Sequence, residues 1–419
     1  MTTPSPLSVL LATIGSAGDV NPFVAIGGEL RRRGHQVTLV TNAFFAPAAK
    51  GAGLDFIGLG TADDYRRTVD DPDLWDPRTG FRVFARRVVM PAIQPLYEIL
   101  SRNLASNAIV VAQGQAFGAH LVHEKHGVPF VTIQLQPAAF RTIYDAPVMP
   151  GWIPRFLRPT VFAFLDYLVL DRVFARDLNA FRSKLGLPKV RKIFASWIHS
   201  PQKSLGLFPD WFAPPQPDWP PQTELTGFVF LHEGPRPLAP ELSAFLADGE
   251  PPIVFTPGTA MRQADLFFQA SLRASMELGR RALLLTQYPD QLPPQLPDGA
   301  ATSTYVPFET LLPRCAALVH HGGVGTAAQA LAAGIPQLVR PMTFDQPDNA
   351  ARLERLGVAS SIRPGHYRAR PVVDALSFLL TSQAVSDKCR HFASKIDPAK
   401  GLQAVCDAIE TVAAEPHAA

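Results

Sequence analysis

The stretch Leu318-Val-His-His-Gly-Gly-Val-Gly-Thr-Ala-Ala-Gln-Ala-Leu-Ala-Ala-Gly334 decides how this chain is interpreted. Its apolar start is typical of a buried strand, its glycines predict a tight loop, and Thr326 to Ala333 predicts a helix that ends at Gly334. Such a loop exposes backbone N–H groups, and the positive end of the helix dipole points toward it. The pattern therefore predicts an anion site, with a diphosphate as the expected occupant.

Three side chains add polar groups to this predicted site. His321 lies in the loop, and Thr326 and Gln329 share one face of the first helical turn because they are three residues apart. A second apolar strand, Ile335 to Pro341, leads to Asp345-Gln346, whose carboxylate and amide suit the hydroxyls of a sugar. A site for a diphosphate next to a site for a sugar predicts that the ligand is a nucleotide sugar. For the glycine loop taken alone, the alternative is an ordinary structural turn without a ligand.

Length and composition exclude several other classes. A chain of 419 residues is expected to divide into at least two domains, and a net charge of +3 is too slight to predict nucleic-acid binding. The three cysteines form neither a disulfide framework nor a metal cluster, which suits a reducing cytoplasm. His120, His123 and His126 recur at helical spacing without an acidic or cysteine partner, so we expect a solvated or lightly packed face rather than a metal site.

The apolar segments are too short for a signal sequence or a membrane span. Leu7 to Ile14 runs directly into Gly-Ser-Ala-Gly, so it is predicted to be the first strand. Thr160 to Phe174 carries Asp166, Asp171 and Arg172, and it falls short of the ~20 uncharged residues that a span needs. A soluble cytoplasmic protein is expected, while weak or partner-mediated attachment to the inner face of a membrane stays open.

The N-terminal segment predicts a βαβ unit. Ser8 to Ile14 forms the first strand, Gly15-Ser-Ala-Gly-Asp19 a turn, Pro22 to Arg33 a helix and Gln36 to Thr41 the second strand. Such a unit implies a parallel sheet with ligands at the carboxyl ends of its strands. The turn lacks the Gly-x-Gly-x-x-Gly spacing, and no Asp or Glu ends the second strand, so a nicotinamide enzyme is not expected.

Asp19 is the candidate catalytic residue of this turn. Pro22 suits the first helical position, which would make Asn21 the N-cap and leave Asp19 outside the helix, free to act as a base. The alternative is a structural carboxylate that complements the helix dipole or holds the turn.

The middle of the chain is rich in apolar residues. Phe81, Phe84, Val88 and Tyr97 fall on two predicted helices; they suit an ordinary core, and also the walls of an apolar acceptor pocket. Trp152 to Leu185 predicts one or two helices that cover the core, with contact to a lipid-like substrate as the alternative.

The second half of the chain repeats the alternation of strands and helices, which predicts a second doubly wound domain. Its strand ends would bring together Gly258-Thr259, Tyr305-Val306, the histidine-glycine loop and Asp345-Gln346. The expected boundaries are an N-terminal domain at 1–231, a proline-rich linker at 232–240, a C-terminal domain at 241–385 and a helix at 386–419 that packs back on the N-terminal domain.

Several motifs together carry a family resemblance. The chain resembles family 1 of the GT-B glycosyltransferases over nearly its whole length, through Gly15-Ser-Ala-Gly-Asp-Val-Asn-Pro-Phe23, His320-His-Gly-Gly-Val-Gly-Thr326, Gly334-Ile-Pro-Gln337 and Asp345-Gln346. Leu74-Trp-Asp-Pro77 and Phe208-Pro-Asp-Trp-Phe-Ala-Pro-Pro-Gln216 further resemble the catalytic subunit of rhamnolipid-forming rhamnosyltransferases.

This resemblance implies two Rossmann-like doubly wound domains facing each other across a cleft, with the nucleotide sugar on the C-terminal domain and the acceptor on the N-terminal one. It implies inverting transfer without a metal or other cofactor. Asp19 would deprotonate the acceptor, and Gln329 would hold the ribose. Tyr305 and Val306 would contact the base, and Asp345 and Gln346 would contact the sugar. Gly258 and Thr259 would be further donor contacts. The diphosphate would be held by His321, Gly322, Gly323, Gly325 and Thr326.

The chain departs from the common family pattern at two positions, because many relatives carry His in place of Asp19 and Glu in place of Gln329. The closer resemblance implies dTDP-L-rhamnose as donor and a β-hydroxyalkanoyl-β-hydroxyalkanoate as acceptor, which would give a monorhamnolipid. Glucosyl transfer from UDP-glucose to a sterol, polyketide or other lipid-like alcohol is the alternative. A silent nucleotide-sugar-binding partner or an epimerase represents a different class.

Overall fold

The computed structural model describes residues 6–166, 171–232, 234 and 237–415, which form two compact units. Unit 1 comprises residues up to Leu74, Thr79–Leu231 and the chain from Pro398 onward. Unit 2 comprises Trp75–Arg78 and His232–Asp397. The C-terminal segment therefore belongs to the unit in which the chain begins.

Unit 1 is built on a seven-stranded parallel sheet. Its strands are β1 (Ser8–Ala12), β2 (Gln36–Thr41), β3 (Asp55–Gly58), β4 (Ala108–Gln113), β5 (Phe130–Gln134), β6 (Lys203–Gly206) and β7 (Thr223–Leu225). They lie in the order β3-β2-β1-β4-β5-β6-β7, and every neighbouring pair is parallel. The direction of winding reverses between β1 and β4, and a doubly wound sheet binds ligands at the carboxyl ends of such strands.

Helices cover both faces of this sheet. They are α1 (Ala17–Arg32), α2 (Ala46–Gly51), α3 (Ala62–Val69), α4 (Gly80–Phe84), α5 (Met90–Arg102), α6 (Phe117–His126), α7 (Arg158–Leu165), α8 (Asp171–Lys184) and α16 (Pro398–Ala414). Along β1, Val9 and Leu11 pack with residues of α1 and α16, whereas Leu10 and Ala12 pack with residues of α5 and α6. Alternate residues of β1 therefore pack into the cores on opposite faces of the sheet, which explains why the sequence of this strand is apolar throughout.

Unit 2 contains a second parallel sheet of six strands. These are β8 (Ile253–Thr256), β9 (Ala282–Leu285), β10 (Ala300–Ser303), β11 (Ala317–His320), β12 (Gln337–Val339) and β13 (Ala359–Ser361). Their order is β10-β9-β8-β11-β12-β13, so the winding reverses between β8 and β11. The helices are α9 (Pro240–Ala247), α10 (Asp265–Glu277), α11 (Phe308–Leu311), α12 (Val324–Ala333), α13 (Gln346–Leu356), α14 (Ala369–Thr381) and α15 (Gln383–Ala393).

The predicted strand, loop and helix around the histidine-glycine motif are confirmed by β11 and α12. Gly334 follows α12 with φ of 69°, and Gly357 follows α13 with φ of 74°. Both glycines take the left-handed conformation that ends many helices, so their position in the sequence predicted the helix ends correctly.

The predicted start of the first helix is wrong. Helix α1 begins at Ala17 rather than at Pro22, and Ser16 rather than Asn21 is the N-cap. Pro22 lies inside the helix, where its missing N–H would have faced the carbonyl of Gly18, four residues earlier. Asp19 consequently lies within the first turn and not outside it.

The expectation that Trp152 to Leu185 covers the core holds for α8 and is wrong for residues 152–165, while residues 167–170 lie outside the described part of the chain. Phe174 and Leu178 of α8 are fully buried in the core. By contrast, α7 and the 3₁₀ turn Arg155–Leu157 bury no residue at all. Among the described residues, no helix is both long and apolar enough to span a membrane.

The three histidines of α6 differ in their surroundings. His120 is buried, and its Nε2 lies 3.1 Å from the carbonyl oxygen of Gly114. The expectation of a solvated or lightly packed face is therefore wrong for His120, although His126 is exposed. The described residues contain no group of three His, Cys, Asp or Glu side chains that could hold a metal ion.

Candidate active site

Asp19 belongs to a capping box at the start of α1. The Ser16 N–H donates to Asp19 Oδ2 at 2.7 Å, and Ser16 Oγ donates to the same oxygen at 3.1 Å. Gly15, with φ of 124°, leaves room for the carboxylate, because a Cβ on Gly15 would lie 2.3 Å from Asp19 Oδ2. Asp19 therefore has the structural role that was the alternative in the sequence analysis: it holds the turn, and it does so through one of its two carboxylate oxygens.

The other carboxylate oxygen is held by Gln113, the last residue of β4. Gln113 Nε2 donates to Asp19 Oδ1 at 2.9 Å. Its Oε1 accepts hydrogen bonds from Thr13 Oγ1 and from the Ile14 N–H, each at 3.1 Å. Two donors on the amide oxygen fix the orientation of the amide, so that its NH₂ group must face the carboxylate.

These contacts place Asp19 at the reversal of winding between β1 and β4. Burial raises the pKa of the Asp19 carboxyl above its ordinary value, and the hydrogen bonds from Ser16 and Gln113 act against this rise. The residue as a whole is half-buried, so its surface is not closed to solvent. A carboxylate with a raised pKa and a fixed orientation is a suitable general base.

Gln113 was not predicted from the sequence, although a signal existed. Strand β4 ends at Gln113, and a polar residue at the carboxyl end of a buried strand is a candidate ligand or positioning group. We expect Gln113→Ala to lower kcat about tenfold and to raise the pKa of Asp19, because a hydrogen bond to a charged group is lost. The acid limb of the kcat/KM profile should then move to higher pH by about one pH unit.

The control for this prediction is Gln134→Ala. Gln134 ends the next strand, β5, and it is equally buried, but its Nε2 donates to the Ile198 carbonyl oxygen at 3.2 Å instead of to Asp19. The acid limb should stay in place in this variant. An unmoved limb in Gln113→Ala would show that Gln113 does not tune Asp19.

His321 lies in the loop between β11 and α12, with two glycines against its ring. A Cβ on Gly258 would lie 2.8 Å from His321 Cε1, and a Cβ on Gly323 would lie 2.5 Å from His321 Nε2. Burial lowers the pKa of His321 to about 4, so the imidazole is neutral at pH 7. Its Nδ1 is buried and has no hydrogen-bond partner among the described residues. A buried ring nitrogen without a partner is costly, which marks this atom as a candidate ligand contact.

The packing of glycine on the His321 ring gives a second prediction. We expect Gly323→Ala to push the ring out of place and to weaken dTDP binding by up to about tenfold. Gly365→Ala is the matched control, because nothing lies within 4 Å of a Cβ on Gly365. Calorimetric titration of both variants measures the effect, and equal dTDP affinities would contradict it.

The neighbouring His320 holds the loop through hydrogen bonds at both ring nitrogens. It is fully buried, its Nδ1 accepts from the Gly322 N–H at 3.1 Å, and its Nε2 donates to Gln337 Oε1 at 2.9 Å. Burial lowers its pKa to about 3, in keeping with a neutral ring. The N–H of Gly322 is thus already paired. A Cβ on Gly322 would lie 2.8 Å from Val339 Cγ1, so a glycine is needed here for close packing.

Helix α12 supplies the remaining groups of an anion site. Gly323 is its N-cap, and the first N–H groups of any helix lack partners within the helix. No atom lies within 4 Å of a Cβ on Gly325. Thr326 and Gln329 are half-buried. Free amides, the helix dipole and His321 together can bind a diphosphate.

Asn349 of α13 joins this loop to Asp345 and was not predicted from the sequence. Its Nδ2 donates to the Gly322 carbonyl oxygen at 2.9 Å and to Asp345 Oδ2 at 2.7 Å. Gln346 is buried, and its Oε1 accepts from the N–H groups of Met342 and Thr343 at 2.8 and 3.3 Å. Because its oxygen is occupied in this way, Gln346 would contact a ligand through its Nε2 donor.

The other predicted donor residues differ in exposure. Thr259 and Tyr305 are exposed, whereas Val306 is buried and packs in the core of unit 2. Trp75 was not predicted: its Nε1 donates to the Ala260 carbonyl oxygen at 3.2 Å, and its ring lies edge-on to Phe344, next to Asp345. The ends of β8, β11 and β12 in unit 2 thus carry polar and aromatic groups together.

The predicted acceptor residues pack against the core. Phe81, Phe84, Val88 and Tyr97 are all half-buried and touch the same core cluster. The Phe81 ring contacts Phe174 and Phe194, and the Tyr97 ring contacts Phe181 and His126. These four residues therefore pack as part of an ordinary core, which is one of the two roles that the sequence suggested for them.

Comparison with known proteins identifies the family. Residues 9–144 match the glycosyltransferase family 28 N-terminal domain, and residues 284–400 match the erythromycin biosynthesis protein CIII-like C-terminal domain. The chain is 31% identical to O-mycaminosyltylonolide 6-deoxyallosyltransferase of Streptomyces fradiae, over 96% of this chain and 97% of the relative. It is 26% identical to the sterol 3-beta-glucosyltransferase of Pichia angusta, over 96% of this chain and 33% of that larger protein.

Solved structures share the fold. The glycotransferase of kitacinnamycin superimposes with a TM-score of 0.75 at 20% identity, covering 98% of this chain and 100% of the other. VinC in complex with dTDP superimposes with a TM-score of 0.67 at 19% identity, covering 97% of this chain and 99% of VinC. The spinosyn rhamnosyltransferase SpnG superimposes with a TM-score of 0.67 at 20% identity, covering 96% of this chain and 99% of SpnG. With its two parallel-sheet Rossmann-like domains and a relative at 31% identity, the chain belongs to family 1 of the GT-B glycosyltransferases, with relatives of the natural-product type.

Proposed function

We propose that this glycosyltransferase transfers L-rhamnose from dTDP-L-rhamnose to the hydroxyl of a β-hydroxyalkanoyl-β-hydroxyalkanoate, giving a monorhamnolipid. The observation that carries the donor class is the unpartnered Nδ1 of His321 at the N-terminal end of α12. Two neighbours support the finer donor assignment: VinC holds dTDP, and SpnG is named a rhamnosyltransferase. The motifs Leu74-Trp-Asp-Pro77 and Phe208 to Gln216 support the acceptor.

The proposed reaction is a single displacement with inversion. The acceptor oxygen forms a bond to the anomeric carbon while the bond from that carbon to the diphosphate oxygen breaks. Asp19 takes the acceptor proton, and Gln113 keeps the carboxylate oriented. The negative charge that leaves with the diphosphate is stabilised by His321, Thr326 and the amides at the start of α12.

The remaining donor groups are assigned by the family pattern. Gln329 would hold the ribose, and the Tyr305-Val306 edge would hold the thymine. Asp345, oriented by Asn349, and the Nε2 of Gln346 would bind the sugar hydroxyls. Because the positive end of the α12 dipole and a hydrogen bond from the neutral His321 ring would stabilise the diphosphate charge, the proposal requires no metal ion or other cofactor.

The second candidate is a glucosyltransferase that uses UDP-glucose and a sterol, polyketide or other lipid-like alcohol. Its support is the similarity to the sterol 3-beta-glucosyltransferase of Pichia angusta. A silent nucleotide-sugar-binding partner would bind dTDP without turnover, and an epimerase would convert the donor without any acceptor.

A donor screen by mass spectrometry separates these functions. The protein is incubated with dTDP-L-rhamnose or UDP-glucose, each with and without a hydroxy-fatty-acid dimer. The proposal predicts a rhamnosylated dimer that forms only with dTDP-L-rhamnose and acceptor together. A glucosylated product, free isomerised sugar, or binding without turnover would each reject it in favour of the corresponding alternative.

A further inference from the structure

The segment Tyr144–Leu165 of unit 1 concentrates the exposed apolar surface of this protein. Seven of the thirteen exposed large apolar side chains in the described part of the chain fall within it: Tyr144, Val148, Trp152, Phe156, Leu157, Phe164 and Leu165. Trp152 is 80% exposed and Phe156 is 77% exposed. Single exposed apolar residues are normal, but a cluster of this kind marks an interaction surface.

The shape of the segment favours a fluid partner over a protein groove. The 3₁₀ turn Arg155–Leu157 continues into α7, and neither buries a residue. Phe156 and Leu157, like Phe164 and Leu165, are adjacent pairs, and adjacent residues on a helix point about 100° apart. More than one side of this helical run is therefore apolar and exposed. A groove covers one side of a helix, whereas the boundary layer of a bilayer can surround several.

The segment carries more positive than negative charge. Tyr144–Leu165 contains one acid, the half-buried Asp145, and two basic residues, Arg155 and Arg158. The Arg155 guanidinium lies 5.1 Å from the centre of the Tyr144 ring, and Arg158 Nη1 donates to the Ile143 carbonyl oxygen at 2.7 Å. The following acid, Asp166, is buried and paired with Arg141. The exposed segment thus offers positive charge that complements anionic lipid headgroups.

From these observations we propose that Tyr144–Leu165 docks the protein on the surface of an anionic lipid bilayer. Trp152, Phe156 and Phe164 enter the boundary between headgroups and acyl chains, and the two arginines contact lipid phosphates. Aromatic and cationic side chains are the residues that occupy this boundary in membrane-bound proteins. With only eight residues, α7 lies on the membrane and does not cross it. This inference is independent of the donor and acceptor identities proposed above.

Vesicle co-sedimentation tests this docking surface. The full-length protein should bind vesicles of phosphatidylcholine with phosphatidylglycerol more tightly than vesicles of phosphatidylcholine alone. The double variant Trp152→Ser/Phe156→Ser should weaken binding to the anionic vesicles at least about tenfold, since two large apolar side chains no longer leave water. Arg155→Gln/Arg158→Gln should remove the preference for anionic vesicles.

The matched control is Leu266→Ser/Phe378→Ser, which changes two exposed apolar residues of unit 2, 71% and 57% exposed. Its vesicle binding should equal that of the wild type, and thermal unfolding should show that all variants fold. The proposal is overturned if the wild type does not bind anionic vesicles or if the control loses binding equally. It is also overturned if Trp152→Ser/Phe156→Ser dissociates a dimer or abolishes transfer to a soluble acceptor without changing vesicle binding.

Discussion

Replacement of Asp19 by asparagine is expected to lower kcat by about 10²–10⁴-fold while leaving dTDP affinity unchanged, because an amide of the same shape cannot take the acceptor proton. Asparagine keeps an oxygen that can accept hydrogen bonds from Ser16 or Gln113, so the loop should retain its conformation. Steady-state kinetics together with calorimetric titration of dTDP measures both quantities.

The control for this variant is built into the same unit. Asp64 forms an equivalent capping box at the start of α3, where the Thr61 N–H and Oγ donate to its Oδ2 at 2.8 and 2.7 Å. Asp64→Asn therefore removes a capping carboxylate and leaves Asp19 in place, and kcat should stay at the wild-type value. If both variants lose activity equally, or if Asp19→Asn retains wild-type kcat, Asp19 is a capping residue and not the base.

The pH dependence has a definite sign. Transfer requires the ionised carboxylate, so kcat/KM should fall as the pH decreases through the pKa of Asp19, which burial raises above the ordinary value for aspartate. This acid limb should be missing from the residual activity of Asp19→Asn. Its persistence there would assign the limb to another group.

Replacement of His321 by alanine is expected to weaken dTDP binding by about 10- to 100-fold, the equivalent of one hydrogen bond to a charged group. The ring nitrogen that would contact the diphosphate is already buried and unpartnered among the described residues, so little rearrangement accompanies binding. His321→Gln, which restores a donor, should recover part of the affinity. Calorimetry with dTDP measures the series.

His391→Ala is the control, since this exposed histidine of α15 belongs to the same unit and contacts Phe392. Its dTDP affinity should match that of the wild type. Unchanged affinity in His321→Ala would remove the histidine from the anion site and leave only the amides of α12.

The parts of the fold that were predictable are those with strong local signals. An apolar strand, a run of glycines and a helix that ends at Gly334 can be arranged in few ways, and the structure places β11 and α12 as expected. The boundary of α1 was misjudged because Pro22 resembles a first-turn proline. The capping-box pattern Ser16-Ala-Gly-Asp19 was the stronger signal, since it satisfies two backbone groups at once.

Other features depend on contacts that no local pattern contains. Gln113 lies 94 residues from Asp19 along the chain and meets it only because β4 pairs with β1. Asn349 likewise reaches Gly322 through the folding of α13 over the loop. The exposure of Trp152 and Phe156 was missed because an apolar segment has the same composition on a surface as in a core.

The anomeric configuration of the product tests the central claim most directly, namely that an acceptor hydroxyl displaces the diphosphate in one step. NMR measurement of the one-bond carbon–proton coupling at the anomeric carbon compares donor and product. The account predicts an inverted configuration in the wild-type product. Retention of the donor configuration would require a second displacement, or attack on the face from which the diphosphate leaves, and would contradict it.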